Sequence, residues 1–286
     1  MTISPRAANW FQVSLGVVIG VTLASSTPWA SGDSQQTSEA TSIVGKTDWP
    51  AEFGADDQRG VINRISPVKV VNSARLIQRG QIYQLGRQYE HGLPIPGKRH
   101  FSLTIPGLPT GSNDMVSNDE LFSGEIGQVG TQFDGLGHAG VRIDGEDYFY
   151  NGNRLSGFGN PYGLQKPGVD NVDVFFTRGI LLDVCALRRN DRLPAGYVIS
   201  PDELLTCLEP SNPKVQEGDV VLIRTGHGKL WMKDNETYGA GEPGIGLAAA
   251  KFLPNRKVSM IRADTWTIEA VRHDVPIYHF PCISGI

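Results

Sequence analysis

Three short apolar runs stand out in the second half of the chain. They cover residues 179–184 (GILLDV), 219–224 (DVVLIR) and 258–263 (VSMIRA). Each run has the length of a strand and contains few polar positions, which is typical of strands that are buried on both faces. The pattern therefore predicts three buried strands.

Helix signals lie between and before these runs. A serine followed by proline at Ser66-Pro67 starts a helix that is predicted to end at Gly80. Ser200 begins a capping box (SPDE), and residues 247–253 (LAAAKFL) give a third helix. Strands that alternate with helices predict an α/β fold with some parallel pairing.

The domain organisation is predicted to be simple. We find no internal repeat, and no linker after residue 48 is long enough to divide domains, so residues 48–286 are expected to form one domain. The Gly- and Pro-rich stretch 92–114 predicts surface loops folded over a site.

The N-terminal segment has a different composition. Arg6 precedes an apolar stretch at residues 11–24, and small residues follow up to Ala30. This order predicts a signal peptide over residues 1–30 and a secreted or periplasmic protein, with an uncleaved membrane anchor as the alternative. Residues 31–47 are rich in Ser, Thr and Gln and predict a disordered linker.

Charge and cysteine content narrow the class of protein. The net charge is −4, which argues against nucleic acid as a partner and against stable membrane association once the signal peptide is removed. Cys185, Cys207 and Cys282 contain no CxxC pair, so we expect buried apolar residues rather than a thiolate zinc site.

The densest cluster of polar residues lies in GEIGQVGTQFDGLGHAG, residues 124–140. If residues 132–134 are extended, Gln132 and Asp134 project from the same face. Turns at neighbouring glycines can bring Gln128 and His138 to the same point. A carboxylate, an imidazole and amide oxygens in one place could hold a divalent metal, although such residues in a Gly-rich turn more often serve the turn itself.

This segment resembles the HxGTHxDxPxH signature of the cyclase family, which includes kynurenine formamidase, an enzyme of tryptophan catabolism, and isatin hydrolase. The matching residues are Gly130, Thr131, Asp134 and His138. The stretches TRGILLDV, GDVVLIRTG, LWMKDNETY, GEPGIGL and ADTWTIE also resemble one branch of that family. The resemblance extends over residues 49–281.

The resemblance implies a metal-dependent hydrolase of small molecules with a swivelling β/β/α fold and a mixed sheet, and it implies a homo-oligomer. Asp134 would bind the metal, Gln128 and Gln132 would complete or orient its shell, and His138 would bind metal or move the proton. Manganese or zinc is expected, and magnesium is an alternative. Gln128 and Gln132 stand where the family has histidines, and an amide oxygen is the weaker zinc ligand.

The C-terminal end also departs from the family pattern. The family continues beyond the position of Pro281 into a segment like HQELL…GIYxLEN, which supplies a further His and Glu. Here the sequence reads HFPCISGI. We therefore expect a C-terminally incomplete domain with a weakened metal site.

The sequence is consistent with two functions. The first is hydrolysis of an amide, or of a cyclic amide or ester, in a small carbonyl compound, with kynurenine formamidase (arylformamidase) activity as the nearest name. The second is an inactive, small-molecule-binding relative that has lost the metal site.

Other polar residues carry weaker predictions. His227 follows a predicted strand and could line a pocket or lie in a loop. Asp264 and Glu269 could serve a pocket or cap a helix, and a structural role is favoured. Residues 144–147 (DGED) predict a solvated hairpin turn rather than a calcium loop. Trp231 and Trp266 could contact an aromatic substrate, although large aromatic side chains are usually core.

Overall fold

The computed structural model describes residues 49–107, 113–209 and 214–272. The signal peptide and linker predicted for residues 1–47, Cys282 and the C-terminal departure lie outside these ranges. The described chain forms a single mixed α/β domain. The α-helices are α1 (Pro67–Ala74), α2 (Leu155–Phe158), α3 (Val184–Leu187), α4 (Pro201–Leu208), α5 (Asn235–Gly239) and α6 (Leu247–Phe252). The strands are β1 (Phe101–Thr104), β2 (Leu121–Gly124), β3 (Val141–Ile143), β4 (Glu146–Phe149), β5 (Asn153–Arg154), β6 (Gly179–Asp183), β7 (Val198–Ile199), β8 (Val220–Arg224), β9 (Gly241–Glu242), β10 (Gly244–Ile245), β11 (Met260–Ala263) and β12 (Val271–Arg272).

The three predicted strands are confirmed and form one parallel sheet in the order β11-β8-β6. Ile180 and Leu182 of β6 point into the core with helices α4 and α6, whereas Leu181 between them is 59% exposed. Only one face of the sheet is therefore covered by the helical core. The other face borders a cleft, which positions the site described below.

The remaining sheets are small and include antiparallel pairs. Strands β3, β4 and β5 form an antiparallel sheet, and the predicted hairpin turn is confirmed between β3 and β4. Asp144 and Gly145 both have positive φ, 54° and 83°, as a two-residue hairpin turn requires. The prediction of loops throughout 92–114 was partly wrong, because β1 lies in this stretch and pairs with β2.

Helix α1 starts as predicted but ends early. The Ser66 side chain accepts a hydrogen bond from Lys69 N, and the helix stops at Ala74 rather than near Gly80. Leu76 and Ile77, which follow, are 55% and 66% exposed. Since helices are stabilised mainly by burying an apolar face, these side chains add nothing that favours a longer helix.

The capping box of α4 is confirmed and extends into a network around Glu203. Ser200 N donates to Glu203 Oε2 at 2.9 Å, and Tyr197 Oη and Arg188 Nε donate to Oε1 at 2.6 and 2.8 Å. Burial opposes ionisation of this carboxyl, but the hydrogen bonds from Tyr197, Ser200 and Arg188 outweigh it and lower the pKa from 4.5 to about 2. The ionised form is thus stabilised by folding.

Replacing Glu203 by glutamine is expected to destabilise the fold at neutral pH and much less at low pH. A carboxyl with a lowered pKa contributes stability above its unfolded pKa, and this is lost as the pH falls through the folded value. The loss should be about 2–3 kcal/mol at pH 7 and should shrink between pH 5 and 2. Urea unfolding at several pH values measures it, with exposed Glu236→Gln as the control. A constant difference across this range would contradict the account.

Asp219, immediately before β8, is a buried carboxylate with several hydrogen-bond donors around it. Its side chain is 0% exposed and accepts from Lys69 Nζ at 2.5 Å and from Arg178 Nε at 3.0 Å. Gln216 N also donates to it at 2.7 Å. One buried carboxylate thus joins α1 to the strands β6 and β8.

Among the helices described, none has the length and apolar content needed to cross a membrane.

Candidate functional site

The polar segment 124–140 connects β2 to β3 and is irregular. Residues 132–134 belong to no strand, so the extended conformation considered for them is not part of a sheet. The segment is held instead by side chains and turns. Arg87 N donates to Thr131 Oγ1 and Tyr89 Oη donates to Thr131 O, each at 2.8 Å. These contacts provide the hydrogen bonds that a neighbouring strand would otherwise supply.

The return to His138 depends on a tight turn. His138 N donates to Gly135 O at 2.9 Å. A Cβ atom at Gly137 would lie 2.6 Å from the Leu164 side chain and 3.0 Å from Pro167 O, so a side chain does not fit there. Glycine at this position allows the close approach that brings His138 back over the segment.

All four predicted site residues converge. Gln128 Nε2 lies 2.7 Å from Asp134 Oδ1 and 3.1 Å from His138 Nε2. His138 Nε2 and Asp134 Oδ1 are 3.7 Å apart, and their side chains are 47% and 50% exposed. Gln132 Oε1 accepts from the backbone N–H of Gln128. The cluster is therefore assembled and open to solvent.

Trp266 fixes the orientation of the Gln128 side chain. The indole Nε1 lies 3.0 Å from Gln128 Oε1. Because the indole N–H can only donate, the amide oxygen faces Trp266 and the NH₂ group faces Asp134 and His138. The NH₂ group can only donate as well, so His138 Nε2 accepts, and the ring proton of neutral His138 lies on Nδ1. Gln128 has a φ of 67°, a conformation that glutamine seldom adopts.

The donor set does not fit the divalent metal that the resemblance implies. Each amide oxygen points at an N–H group, that of the Trp266 indole or that of the Gln128 backbone. The group facing Asp134 and His138 is an NH₂, which has no lone pair to offer a cation. Among the residues described, no three His, Cys, Asp or Glu side chains form a metal-binding group. The metal at these four residues stays a prediction from the resemblance.

The sequence did not predict Glu242 as a site residue, and it predicted Glu269 only as a pocket or helix-capping residue. Glu242 is 3% exposed and accepts from Trp266 N and Thr267 N, each at 2.7 Å. Burial raises its pKa to about 6. Burial, with the negative charge of Asp134, also raises the pKa of Glu269. Glu242 positions the turn that carries Trp266, and only its place in the GEPGIGL stretch could have indicated this.

Half of the cluster borders a cleft of about 950 Å³. Gln132 and Asp134 line it, together with Trp231, Trp266 and residues of the parallel sheet, whereas Gln128 and His138 are not among the residues that line it. Both tryptophans are thus available to a ligand, which the sequence had left open between core and site. A cleft of this size accommodates a small organic molecule.

Comparison with known proteins shows the family and the fold of the chain. The family model described as "Putative cyclase" matches residues 83–270, which is more than half of the chain. The chain belongs to the cyclase family. A crystal structure of a novel cyclase is 27% identical, with a TM-score of 0.71, covering 83% of this chain and 80% of that chain. No curated protein sequence matches the chain.

A second solved structure extends the likeness of fold within the cyclase family. Isatin hydrolase A from Ralstonia solanacearum is 18% identical, with a TM-score of 0.51, covering 76% of this chain and 79% of that chain. Family membership supports a hydrolase-like enzyme, and the fold prediction made from the resemblance is confirmed.

His227 and Asp264, which the sequence indicated because each follows a predicted strand, make structural hydrogen bonds, and Asp264 also lines the cleft. His227 is 0% exposed, stacks on Tyr238 with ring centroids 4.9 Å apart, and donates from Nε2 to Tyr238 O. Burial lowers its pKa. Asp264 accepts from Thr225 N at 2.8 Å and Gly226 N at 2.9 Å, so it ties β8 to the segment after β11. Within the described residues 264–272, no helix begins that Asp264 or Glu269 could cap.

Proposed function

We propose that this chain hydrolyses an amide, or a cyclic amide or ester, in a small carbonyl compound, with an activity like that of kynurenine formamidase. The observation that carries the proposal is the convergence of Asp134 and His138, 3.7 Å apart and half exposed, beside a cleft of about 950 Å³. Membership of the cyclase family supports hydrolysis as the reaction class.

His138 would move the proton. Its Nε2 lone pair, held by the Gln128 NH₂ at 3.1 Å, would accept a proton from the water that attacks the substrate carbonyl. The incoming water must compete with Gln128 for this lone pair. The imidazolium formed would be stabilised by the Asp134 carboxylate and would then return the proton to the departing nitrogen or oxygen. The products are a carboxylic acid and an amine or alcohol.

Direct assay tests this proposal. We expect the purified chain to hydrolyse at least one member of a panel of N-formylkynurenine, isatin, small lactams and small lactones. Release of the carboxylic acid, followed by liquid chromatography, is the measurement. A cooperative melting transition of the same preparation shows that the protein is folded. If the folded protein hydrolyses no compound of the panel, the proposal of hydrolysis is contradicted.

One observation favours a second candidate, a binding protein without turnover. The Gln128 NH₂ engages Asp134 and His138 together, so both groups already have partners in the site. A binding protein would retain ligand in the cleft and convert none. Equilibrium binding of isatin without product formation would favour this candidate over the hydrolase.

A further inference from the structure

A pair of arginines lies in the wall of the cleft. Arg87 and Arg262 are both partly buried and both line it. Each donates one hydrogen bond to a backbone carbonyl. Arg87 Nη2 donates to Gly228 O at 2.8 Å, and Arg262 Nη2 donates to Leu85 O at 2.9 Å. Each side chain thus retains further N–H donors.

The pair lacks a counterion in the described part of the chain. No carboxylate there forms a salt bridge with Arg87 or Arg262, whereas Arg59, Arg224 and Lys229 in the same cleft each pair with an aspartate. Arg262 Nη2 donates to Leu85 O, two residues before Arg87, so the two side chains line the same part of the cleft. Burial, with the positive charge of Arg87, also lowers the pKa of Arg262. Two like charges brought together and partly desolvated favour an anion between them.

We propose that Arg87 and Arg262 bind a carboxylate of the substrate, so that the compound hydrolysed is an organic anion. A guanidinium presents planar, paired N–H donors that match the two oxygens of a carboxylate. The proposal rests on the proposed function only in taking the cleft as the substrate site.

The location of the pair supports a role in holding the substrate. Arg87 N donates to Thr131 Oγ1 at 2.8 Å, and Thr131 precedes Gln132 of the cluster. The Arg87 guanidinium also lies over the Trp231 ring, 5.6 Å from its centroid. The cleft thus combines an aromatic wall with two cations, and Asp134 lines the same cleft. That combination fits an aromatic carboxylic acid better than a free inorganic anion.

Equilibrium binding tests the pair without any need for turnover. Benzoate and benzamide have nearly the same shape and differ in charge, and titration calorimetry at fixed ionic strength gives both dissociation constants. We expect benzoate to bind about tenfold to hundredfold more tightly than benzamide, because hydrogen bonds to charged groups are the stronger ones. Arg262→Gln should remove most of this preference, and Arg262→Lys should retain part of it.

The matched control is Arg59→Gln. Arg59 lines the same cleft, but it is 44% exposed and pairs with Asp173 at 3.4 Å, so the benzoate preference should survive its loss. Equal affinities of the wild type for benzoate and benzamide would overturn the proposal. So would an unchanged preference in an Arg262→Gln protein with a normal melting temperature, or displacement of benzoate by equimolar phosphate. None of these results depends on whether the chain is a hydrolase.

Discussion

Replacing His138 by alanine is expected to lower kcat/KM for hydrolysis by about 10²–10⁴-fold, the range that a positioned acid–base group contributes. The imidazole can accept a proton from water on Nε2 and return it to the leaving group. Because the side chain is 47% exposed, its loss should change stability little. The melting temperature of the variant should therefore match that of the wild type.

His91→Ala is the matched control for that substitution. His91 lies exposed in a turn outside the cleft, so its replacement should leave kcat/KM unchanged. A His138→Ala protein that keeps wild-type activity would remove His138 from the reaction. Equal losses in both variants would point to a general effect of removing a histidine rather than to the cluster.

Asp219→Ala should lower the free energy of unfolding by about 3–5 kcal/mol, the largest stability effect that we expect. The carboxylate is fully buried, whereas Lys69 and Arg178 retain 12% and 21% side-chain exposure. Removing it leaves two partly buried cations facing each other without a counterion. Urea unfolding at pH 7 measures the difference.

The comparison for Asp219 is an exposed ion pair. Asp191 is 101% exposed and pairs with Lys229 at 3.1 Å, and Asp191→Ala should cost no more than about 1 kcal/mol. If Asp219→Ala cost as little as Asp191→Ala, the buried carboxylate would not hold the sheet and the helix together.

The parts of the fold that depend on local pattern were predictable from the sequence. Buried parallel strands need apolar runs, and the capping box at Ser200 needs only four consecutive residues, so both could be predicted and both are present. The end of α1 was not predictable, because it depends on whether Leu76 and Ile77 find anything to pack against.

The residues of the candidate site were predicted from the sequence, but the conformation that brings them together was predicted only in part. The sequence indicated strand alternation for Gln132 and Asp134 and turns at glycines for Gln128 and His138. The segment forms no strand, whereas the turn that leads to His138 is present. The orientation of the Gln128 amide depends on Trp266, which lies 138 positions away in the chain. Residue types alone therefore suggested an oxygen ligand where the fold presents an NH₂ group.

The most direct test of the site combines two measurements on the purified chain. The metal content and the hydrolysis rate are each determined before and after treatment with a chelator. If the Gln128 NH₂ stands between Asp134 and His138, manganese, zinc and magnesium should each fall well below one equivalent, and chelation should leave the rate unchanged. The opposite result is one equivalent of a divalent metal, lost from the wild type on chelation together with activity, and absent from Asp134→Ala. That outcome would show that the Gln128 side chain turns to admit a metal and that the hydrogen bonds from its NH₂ to Asp134 and His138 are absent from the active protein.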